Sequence, residues 1–324
     1  MLFNFPVNNL KDLSDKYKNR FSFDINGAST STRPKNNTIW FSKKITQDII
    51  EKMKSVKSCI IIAPGQQQEA HECIKDNFVI PANNPRLEFA IILQFIIDCQ
   101  KQPSKTNVCQ TASIGENFKI GEGTIISHNV VIGDNVEIGT DCVIMPGVVI
   151  NDNVKIGNHN IIRENSVIGG YGFGFERDEN DIPIRIPHIG GVVIGNNVEI
   201  GALSTIVAGT IDPTIIEDYT KIDDHVHIAH NCHIGKRCLI TACAEVSGSV
   251  SIGDDTWLGP NCSIINGISI GKNCFIGIGA VVKKSLLDGL TVSGNPARPL
   301  EEIKEEKDMM KRLLSLYRHG KLTI

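Results

Sequence analysis

An isoleucine recurs at every sixth position through a long stretch of the chain. The period is unbroken from Ile114 to Ile168, resumes at Ile194, slips by four residues after Ile206 and continues, with occasional Val or Leu, to Val282. A period of six fits neither the roughly 3.6 residues of a helical turn nor the alternation of a single long strand. It fits short strands joined by regular turns and stacked as the coils of a solenoid. The repeat therefore predicts a mainly β fold in which these side chains point inward.

A second position in the repeat predicts where each coil turns. Glycine, asparagine and aspartate adopt left-handed backbone conformations at the lowest cost. Such types, with one histidine, stand three residues after successive isoleucines of the first block, at Asn117, Gly123, Asn129, Asn135, Asp141, Gly147, Asn153, His159 and Asn165. We expect a corner of the coil at each of them.

The cysteines fit the same repeat. The position two residues before each isoleucine also faces inward, and five of the ten cysteines occupy it: Cys142, Cys232, Cys238, Cys262 and Cys274. No CxxC spacing occurs, and a free cysteine in a core behaves as a small hydrophobic residue. The pattern predicts buried reduced thiols, which suits a cytoplasmic protein.

Two segments flank the repeat, and two interruptions lie within it. In residues 1–105, short apolar runs typical of strands alternate with segments whose apolar residues have helical spacing, which predicts a small α/β domain. Residues 106–295 are predicted to form the solenoid. Residues 296–324 predict a helix whose apolar stripe packs on the solenoid or on a neighbouring subunit; the stripe contains Leu300, Ile303, Met310, Leu313, Leu314 and Tyr317. Residues 169–191 predict a loop that leaves the coil, and residues 209–213 a smaller bulge.

The long loop begins with aromatic residues interleaved with glycines. Tyr171, Phe173 and Phe175 alternate with glycine in "GGYGFGF". Glycines let backbone and rings lie close to a ligand, so we expect these rings to contact substrate. The alternative is a tolerated insertion without function.

Composition excludes some classes of partner. The formal net charge is -3, without a long Lys/Arg cluster, which argues against nucleic acid and anionic membranes as partners. The longest apolar run, "FAIILQFII", is shorter than the roughly 20 residues that span a bilayer. We therefore expect a cytoplasmic protein without a membrane span.

Four of the nine histidines lie in the stretch "DDHVHIAHNCHIG". The register places His225 and Asn231 at corners, His227 and His233 on outer faces, and His230 on the outer surface just before a corner. An imidazole at a solvent-lined groove suits proton transfer near neutral pH, and imidazoles on adjacent turns suit Zn²⁺. A third reading treats these histidines as ordinary surface residues.

Resemblance to known families narrows these readings. The hexads and their corners resemble the hexapeptide-repeat left-handed parallel β-helix. The segments "IGGYGFGF", "IPHIGGVVIGNNVEIGALSTIVAGTID", "TIIEDYTKIDDHVHIAHNCHIG", "TIWFSKK" and "NPRLEFA" resemble the UDP-3-O-acylglucosamine N-acyltransferases of lipid A synthesis. This resemblance implies that His230 is the catalytic base, that the N-terminal domain helps to hold uridine, and that a homotrimer places active sites between neighbouring subunits.

Three departures from that family favour a different donor. The family's "TIDRGALDD" is shortened to "TIDP", a second family histidine is replaced by Ile268, and "SGNPARPL" resembles the ending of hexapeptide acyltransferases that use coenzyme A. These features resemble the enzymes that acylate dTDP-linked amino-deoxysugars. We therefore expect a short-chain acyl-CoA donor and a dTDP- or UDP-linked amino sugar for surface polysaccharide (O-antigen) synthesis. The lipid A reaction with acyl carrier protein is the alternative.

Each version predicts the same roles. His230 would take a proton from the attacking amine, while Asn231 or the backbone N–H of Gly248 would stabilise the oxyanion. Residues expected at the nucleotide sugar are Trp40, Phe41, Tyr171, Phe173, Phe175, His227 and His233. Residues expected at the acyl-CoA (or acyl carrier protein) cosubstrate are Gly248, Gly267, Lys283, Lys284 and Arg298.

Two other functions are weighed against acyl transfer. A gamma-class carbonic anhydrase resemblance would use the HxxxxH pair of His225 and His230, with His188 of the loop as the nearest third ligand. The retained IAHN motif favours acyl transfer, so we expect no bound metal. A non-catalytic sugar-nucleotide scaffold would bind ligand without releasing thiol.

Overall fold

The computed structural model describes residues 23–65, 76–100 and 106–319. The chain divides into two compact units, residues 1–103 and 104–324. In the first unit, four parallel strands lie side by side in chain order: Gly27–Ala28, Thr38–Phe41, Ile60–Ala63 and Phe78–Pro81. Two helices accompany them, α1 (Gln47–Ser55) and α2 (Pro85–Gln100).

Strand alternation gives the first unit two apolar layers. Ile39 belongs to the cluster that contains Ile92 and Ile96 of α2, whereas Trp40 belongs to the cluster that contains Met53 of α1. Successive residues of a strand point to opposite faces, so each helix covers its own face of the sheet.

The second unit is the predicted left-handed β-helix, a prism with three parallel sheets as faces. The first face contains Lys119–Ile120, Glu137–Ile138, Val154–Ile156, Val192–Ile194, Thr214–Ile216, His233–Ile234, Ser251–Ile252 and Ser269–Ile270. The second contains Asn107–Val108, Ile125–Ile126, Val143–Ile144, Ile161–Ile162, Glu199–Ile200, Lys221–Ile222, Leu239–Ile240, Trp257–Leu258, Phe275–Ile276, Thr291–Ser293 and the antiparallel Arg298–Pro299. The third contains Ser113–Ile114, Val131–Ile132, Val149–Ile150, Val167–Gly170, Thr205–Val207, His227–Ile228, Glu245–Val246, Ser263–Ile264 and Val281–Val282.

The corners and the core follow the repeat. All nine predicted corner residues of the first block have positive φ, and so do His225 and Asn231. From Ile126 onward the inward isoleucines are buried in one continuous cluster, which also holds the five predicted cysteines. Before Ile126, Ile120 is half-buried and Ile114 is 38% exposed, because each lies on the end strand of its face and pairs with one neighbouring coil only.

The long interruption forms structure of its own. Phe175–Arg177 and Pro183–Arg185 pair as an antiparallel hairpin, which the sequence did not predict. The Arg185 guanidinium lies 4.5 Å from the centre of the Phe175 ring. The hairpin therefore owes part of its order to a cation–π contact.

The C-terminal helix α3 spans Leu300–Arg318. Contrary to the prediction that its apolar stripe packs on the prism, none of its residues is buried. The helix directly follows the antiparallel strand Arg298–Pro299, and of the stripe only Leu300 and Ile303 in its first turn are half-buried. Packing on a neighbouring subunit stays a prediction. Across the described ranges, no helix is both long and apolar enough to cross a bilayer.

Candidate active site

The histidine cluster lies where the third face turns into the first. His227 lies in a strand of the third face, and its Nδ1 is 2.6 Å from Thr205 Oγ1. His233 lies in the next strand, on the first face, and its Nε2 is 3.1 Å from Glu217 Oε1. Both side chains lie on the outer surface, as the register predicted, while His225 is an exposed corner with φ 59°. Their contacts give them neighbours on the surface but no enclosed site.

His230 is held by the corner residue that follows it. Its Nδ1 lies 3.0 Å from Asn231 Oδ1. The same oxygen accepts hydrogen bonds from the backbone N–H of Thr210 at 3.3 Å and from the Thr210 hydroxyl at 3.1 Å, while Asn231 Nδ2 donates to the Asp212 carbonyl at 3.4 Å. These partners fix which end of the amide is oxygen.

The amide orientation determines the tautomer of His230. Because Asn231 Oδ1 only accepts, His230 Nδ1 carries the proton that it donates. In the neutral ring Nε2 then has a free lone pair, which a general base requires. The engaged amide of Asn231 favours an orienting role over the expected contact with the oxyanion.

Gly248 on the next coil lies against the His230 ring. An added Cβ at Gly248 would come within 2.6 Å of both Cε1 and Nε2 of His230. The backbone N–H of Ser249 donates to the His230 carbonyl at 2.9 Å, so the two coils are fixed in register here. A side chain at this position would displace the imidazole.

The loop returns beside the same corner. The N–H of Ile189 donates to the Thr210 carbonyl at 2.9 Å, and Gly190 donates to Gly209 at 2.9 Å. This return places the His188 ring edge-on to His230, with centroids 5.2 Å apart. The short bulge at residues 209–213 thus connects the loop to the histidine cluster.

His188 is buried, with 5% exposure. Burial lowers the pKa of His188 below its ordinary value, and the nearby His230 and Arg185 act in the same direction, against the hydrogen bond to Ile186. Sequence reasoning considered His188 only as a metal ligand, because "IPHIGG" lies outside the register of the repeat. Its position beside His230 became visible only with the fold of the loop.

The loop aromatics lie at the surface. Tyr171 is 71% exposed, with its ring centre 6.4 Å from that of His188, and Phe173 is 88% exposed. Phe173 and Phe175 contact each other edge to face at 5.0 Å. Their contact with substrate stays a prediction, and their exposure leaves them accessible to one.

The structure contradicts the expected contact of Trp40 with the nucleotide sugar. The Trp40 side chain is fully buried between the sheet and α1 of the first unit. A side chain on that face of the strand points into the core, where it cannot stack on a ligand. Phe41 points to the other face and is half-buried against Phe89, with ring centres 5.0 Å apart.

The residues expected at the cosubstrate separate into two groups. Lys283 and Lys284 are exposed directly after the last strand of the third face, and Gly267 is an open corner with φ 72°. Arg298 instead forms a bidentate ion pair with Glu306 of α3. The ion pair engages two N–H groups of the guanidinium, and the role of Arg298 at the cosubstrate stays a prediction.

The metal reading receives no support from the geometry. Among the described residues, no three His, Cys, Asp or Glu side chains are grouped so as to hold a metal ion. His188 does lie beside His230, but His225 is a separate exposed corner.

A family of sequences matches the repeat. The family described as bacterial transferase hexapeptide (six repeats) matches residues 111–144, 135–170, 213–248 and 249–284. The matches leave out residues 171–212, which contain most of the loop and of the bulge that interrupt the period.

Individual relatives match stretches of different length. The chain is 39% identical over 245 residues to the UDP-3-O-acylglucosamine N-acyltransferase of Campylobacter concisus, covering 73% of this chain and 76% of the relative. It is 40% identical over 99 residues to the protein of the same name from Hahella chejuensis, covering 31% of this chain and 28% of that one. Among solved structures, Arabidopsis UDP-N-acetylglucosamine acyltransferase has 27% identity and a TM-score of 0.46, with 68% of this chain and 77% of that chain covered.

Proposed function

The chain belongs to the UDP-3-O-acylglucosamine N-acyltransferase family, and from this premise we propose that it transfers an acyl group to the amine of a UDP-3-O-acylglucosamine. The product would be the diacylated sugar nucleotide of lipid A synthesis. The relatives' name favours this reaction over the dTDP-amino sugar reading that the sequence departures suggested. An acyl thioester on acyl carrier protein is the donor that we propose.

The observation that carries the proposal is the hydrogen bonding of His230. Asn231, itself held by Thr210 and Asp212, fixes Nδ1–H as the donor and leaves Nε2 to accept a proton. The IAHN motif thus supplies a base together with the residue that orients it. Catalytic groups work best when neighbouring hydrogen bonds fix their orientation.

The reaction follows from this arrangement. The amine nitrogen attacks the thioester carbonyl, and the carbonyl electrons form an oxyanion. His230 Nε2 takes one N–H proton from the resulting ammonium, the C–S bond breaks, and the proton passes to the leaving thiolate. We propose that the backbone N–H of Gly248, next to the His230 ring, stabilises the oxyanion.

The structure gives the coenzyme A reading less support than the sequence did. Of the three basic residues expected at the cosubstrate, Arg298 is paired with Glu306, whereas Lys283 and Lys284 are exposed. Exposed lysines are common on solvated edges and do not define a site.

The donor and acceptor are tested together in one panel. UDP-3-O-acylglucosamine and dTDP-amino sugars are each incubated with long-chain acyl carrier protein thioesters and with short acyl-CoA, and amide products are identified by mass. We expect product from the UDP acceptor with the carrier protein donor. Product only from acyl-CoA with a dTDP-amino sugar would overturn the proposed substrates, and thiol release in no combination would overturn the proposed activity.

A further inference from the structure

A cysteine and a histidine of neighbouring coils meet at the edge between the second and third faces. Cys109 directly follows the strand Asn107–Val108, and His128 lies one coil later, in the turn after Ile125–Ile126. The Cys109 Sγ is 2.8 Å from His128 Nδ1, within hydrogen-bond distance. A thiol in contact with an imidazole is the arrangement that activates cysteine nucleophiles, because the ring takes the thiol proton.

This pair is separate from the candidate active site. His230 lies at a different edge of the prism, between the third and first faces. Four strand spacings also separate Val131–Ile132, the strand after His128, from His227–Ile228, the strand before His230. At about 4.8 Å for each spacing, the two sites are roughly 19 Å apart along the axis of the prism. An inference about the pair therefore does not rest on the proposed function.

The Thr111 hydroxyl adds a donor to the pair. Its Oγ1 accepts the backbone N–H of Asn129 at 3.1 Å and lies 3.5 Å from both Cys109 Sγ and His128 Nδ1. A hydroxyl that already accepts an amide keeps its own proton for donation, here to the sulfur. The Thr111 hydroxyl lowers the pKa of Cys109, and backbone hydrogen bonds from Thr111 and Gln110 act in the same direction, against partial burial.

Accessibility distinguishes Cys109 from the cysteines of the core. Cys109 is half-exposed, and the histidine and threonine that contact it are exposed. Burial instead raises the pKa of Cys232 and of Cys238 to about 11, so these inward thiols are inert. Cys243 is exposed at a corner with φ 60°, and in the described part of the chain no histidine hydrogen-bonds its thiol. It is therefore a natural internal control.

We infer that Cys109 is a site of reversible thiol–disulfide exchange with small disulfides, and that His128 activates it. The Sγ proton passes to His128 Nδ1, and the thiolate attacks one sulfur of the disulfide R–S–S–R. The bond between Sγ and that sulfur forms while the S–S bond of the reagent breaks, and the leaving thiolate takes the proton from His128. Cys109 is thereby oxidised to a mixed disulfide, and the other half of the small disulfide is reduced to a thiol.

The first test uses the wild-type chain and needs no variant. The folded protein is incubated with glutathione disulfide at neutral pH, samples are quenched with acid, and peptide mass mapping follows each cysteine separately. We expect Cys109 to form the mixed disulfide about 5-fold faster than Cys243, although Cys243 is the more exposed, and dithiothreitol to restore the free thiol. A rate at Cys109 equal to or below that at Cys243 would overturn the inference.

The second test removes the imidazole. His128 is exposed, so His128→Leu takes no side chain out of the core. The exchange rate of Cys109 should fall about 5-fold, whereas Cys243 in the same sample should react as in wild type. An unchanged rate at Cys109 would overturn the activation by His128. A parallel fall at Cys243 would overturn it as well, because the effect would then not depend on contact with the imidazole.

Discussion

Gly248→Ala tests whether the position of the His230 ring determines the rate. Gly248 has no positive φ, so alanine introduces no backbone strain there. The added Cβ would lie 2.6 Å from Nε2 and Cε1 of His230, whereas non-bonded carbon atoms prefer about 3.5–4.0 Å. The imidazole must therefore move by about 1 Å.

The magnitude follows from that displacement. A misplacement of about 1 Å in a catalytic group costs roughly 100-fold in rate, or about 2.7 kcal/mol in activation free energy. The stability cost should be smaller, about 1 kcal/mol, because the His230 ring is only partly buried and can shift toward solvent.

The assay is kcat for amide formation, measured beside the thermal midpoint of unfolding. Gly279→Ala is the control: its φ of 64° makes alanine strained, and apart from its chain neighbours no described residue has an atom within 4 Å of the added Cβ. We expect Gly279→Ala to lose about 1 kcal/mol of stability at full activity. A Gly248→Ala enzyme with the wild-type rate would refute the reasoning, and so would an equal loss of rate in both variants.

Three further predictions use other contacts. Asn231→Gly keeps the positive φ of the corner but removes the hydrogen-bond partner of His230 Nδ1, so kcat should fall about 10-fold. Asn231→Asp keeps an oxygen at that place and should lose less activity. Equal kcat values for the two variants in steady-state kinetics would contradict the orienting role of Asn231. Burial lowers the pKa of His188, so below pH 6.5 the unfolded chain binds more protons than the folded chain and the protein loses stability as the pH falls. His188→Gln should therefore flatten the dependence of Tm on pH in this range. An unaltered pH profile of Tm would show that His188 is not the cause of the loss. The Thr111 hydroxyl lowers the pKa of Cys109, whereas burial raises the pKa of Cys262 to about 12. Timed iodoacetamide labelling should therefore modify Cys109 early and leave Cys262 unmodified until the protein unfolds. The reverse order would show that the register of the repeat is wrong.

The period of six predicted the β-helix because it acts in every coil. One inward side chain, one small inward neighbour and one left-handed corner repeat with fixed spacing, and each constraint is local in the sequence. Corners beyond the first block are harder to predict, since Leu203, Tyr219, Arg237 and Cys243 also adopt positive φ. There the stacked coils impose the conformation against the preference of the residue.

The site was predicted only in part. The motif and the register identified His230 as an outward histidine, and the structure confirms its place on the surface. The contact with His188 depends on a loop that leaves the repeat and returns beside residues 209–213, and no periodicity encodes that return. The prediction for Trp40 failed for a different reason: three successive apolar residues in a four-residue strand do not reveal which face of the sheet is covered.

The most direct test of the account is a single-turnover measurement of amide formation with wild type and His230→Ala, using UDP-3-O-acylglucosamine and acyl carrier protein thioester. The account predicts that the variant binds the sugar nucleotide normally and forms amide roughly 10² to 10⁴ times more slowly. Amide formation by His230→Ala at the wild-type rate would contradict the assignment of His230 as the base.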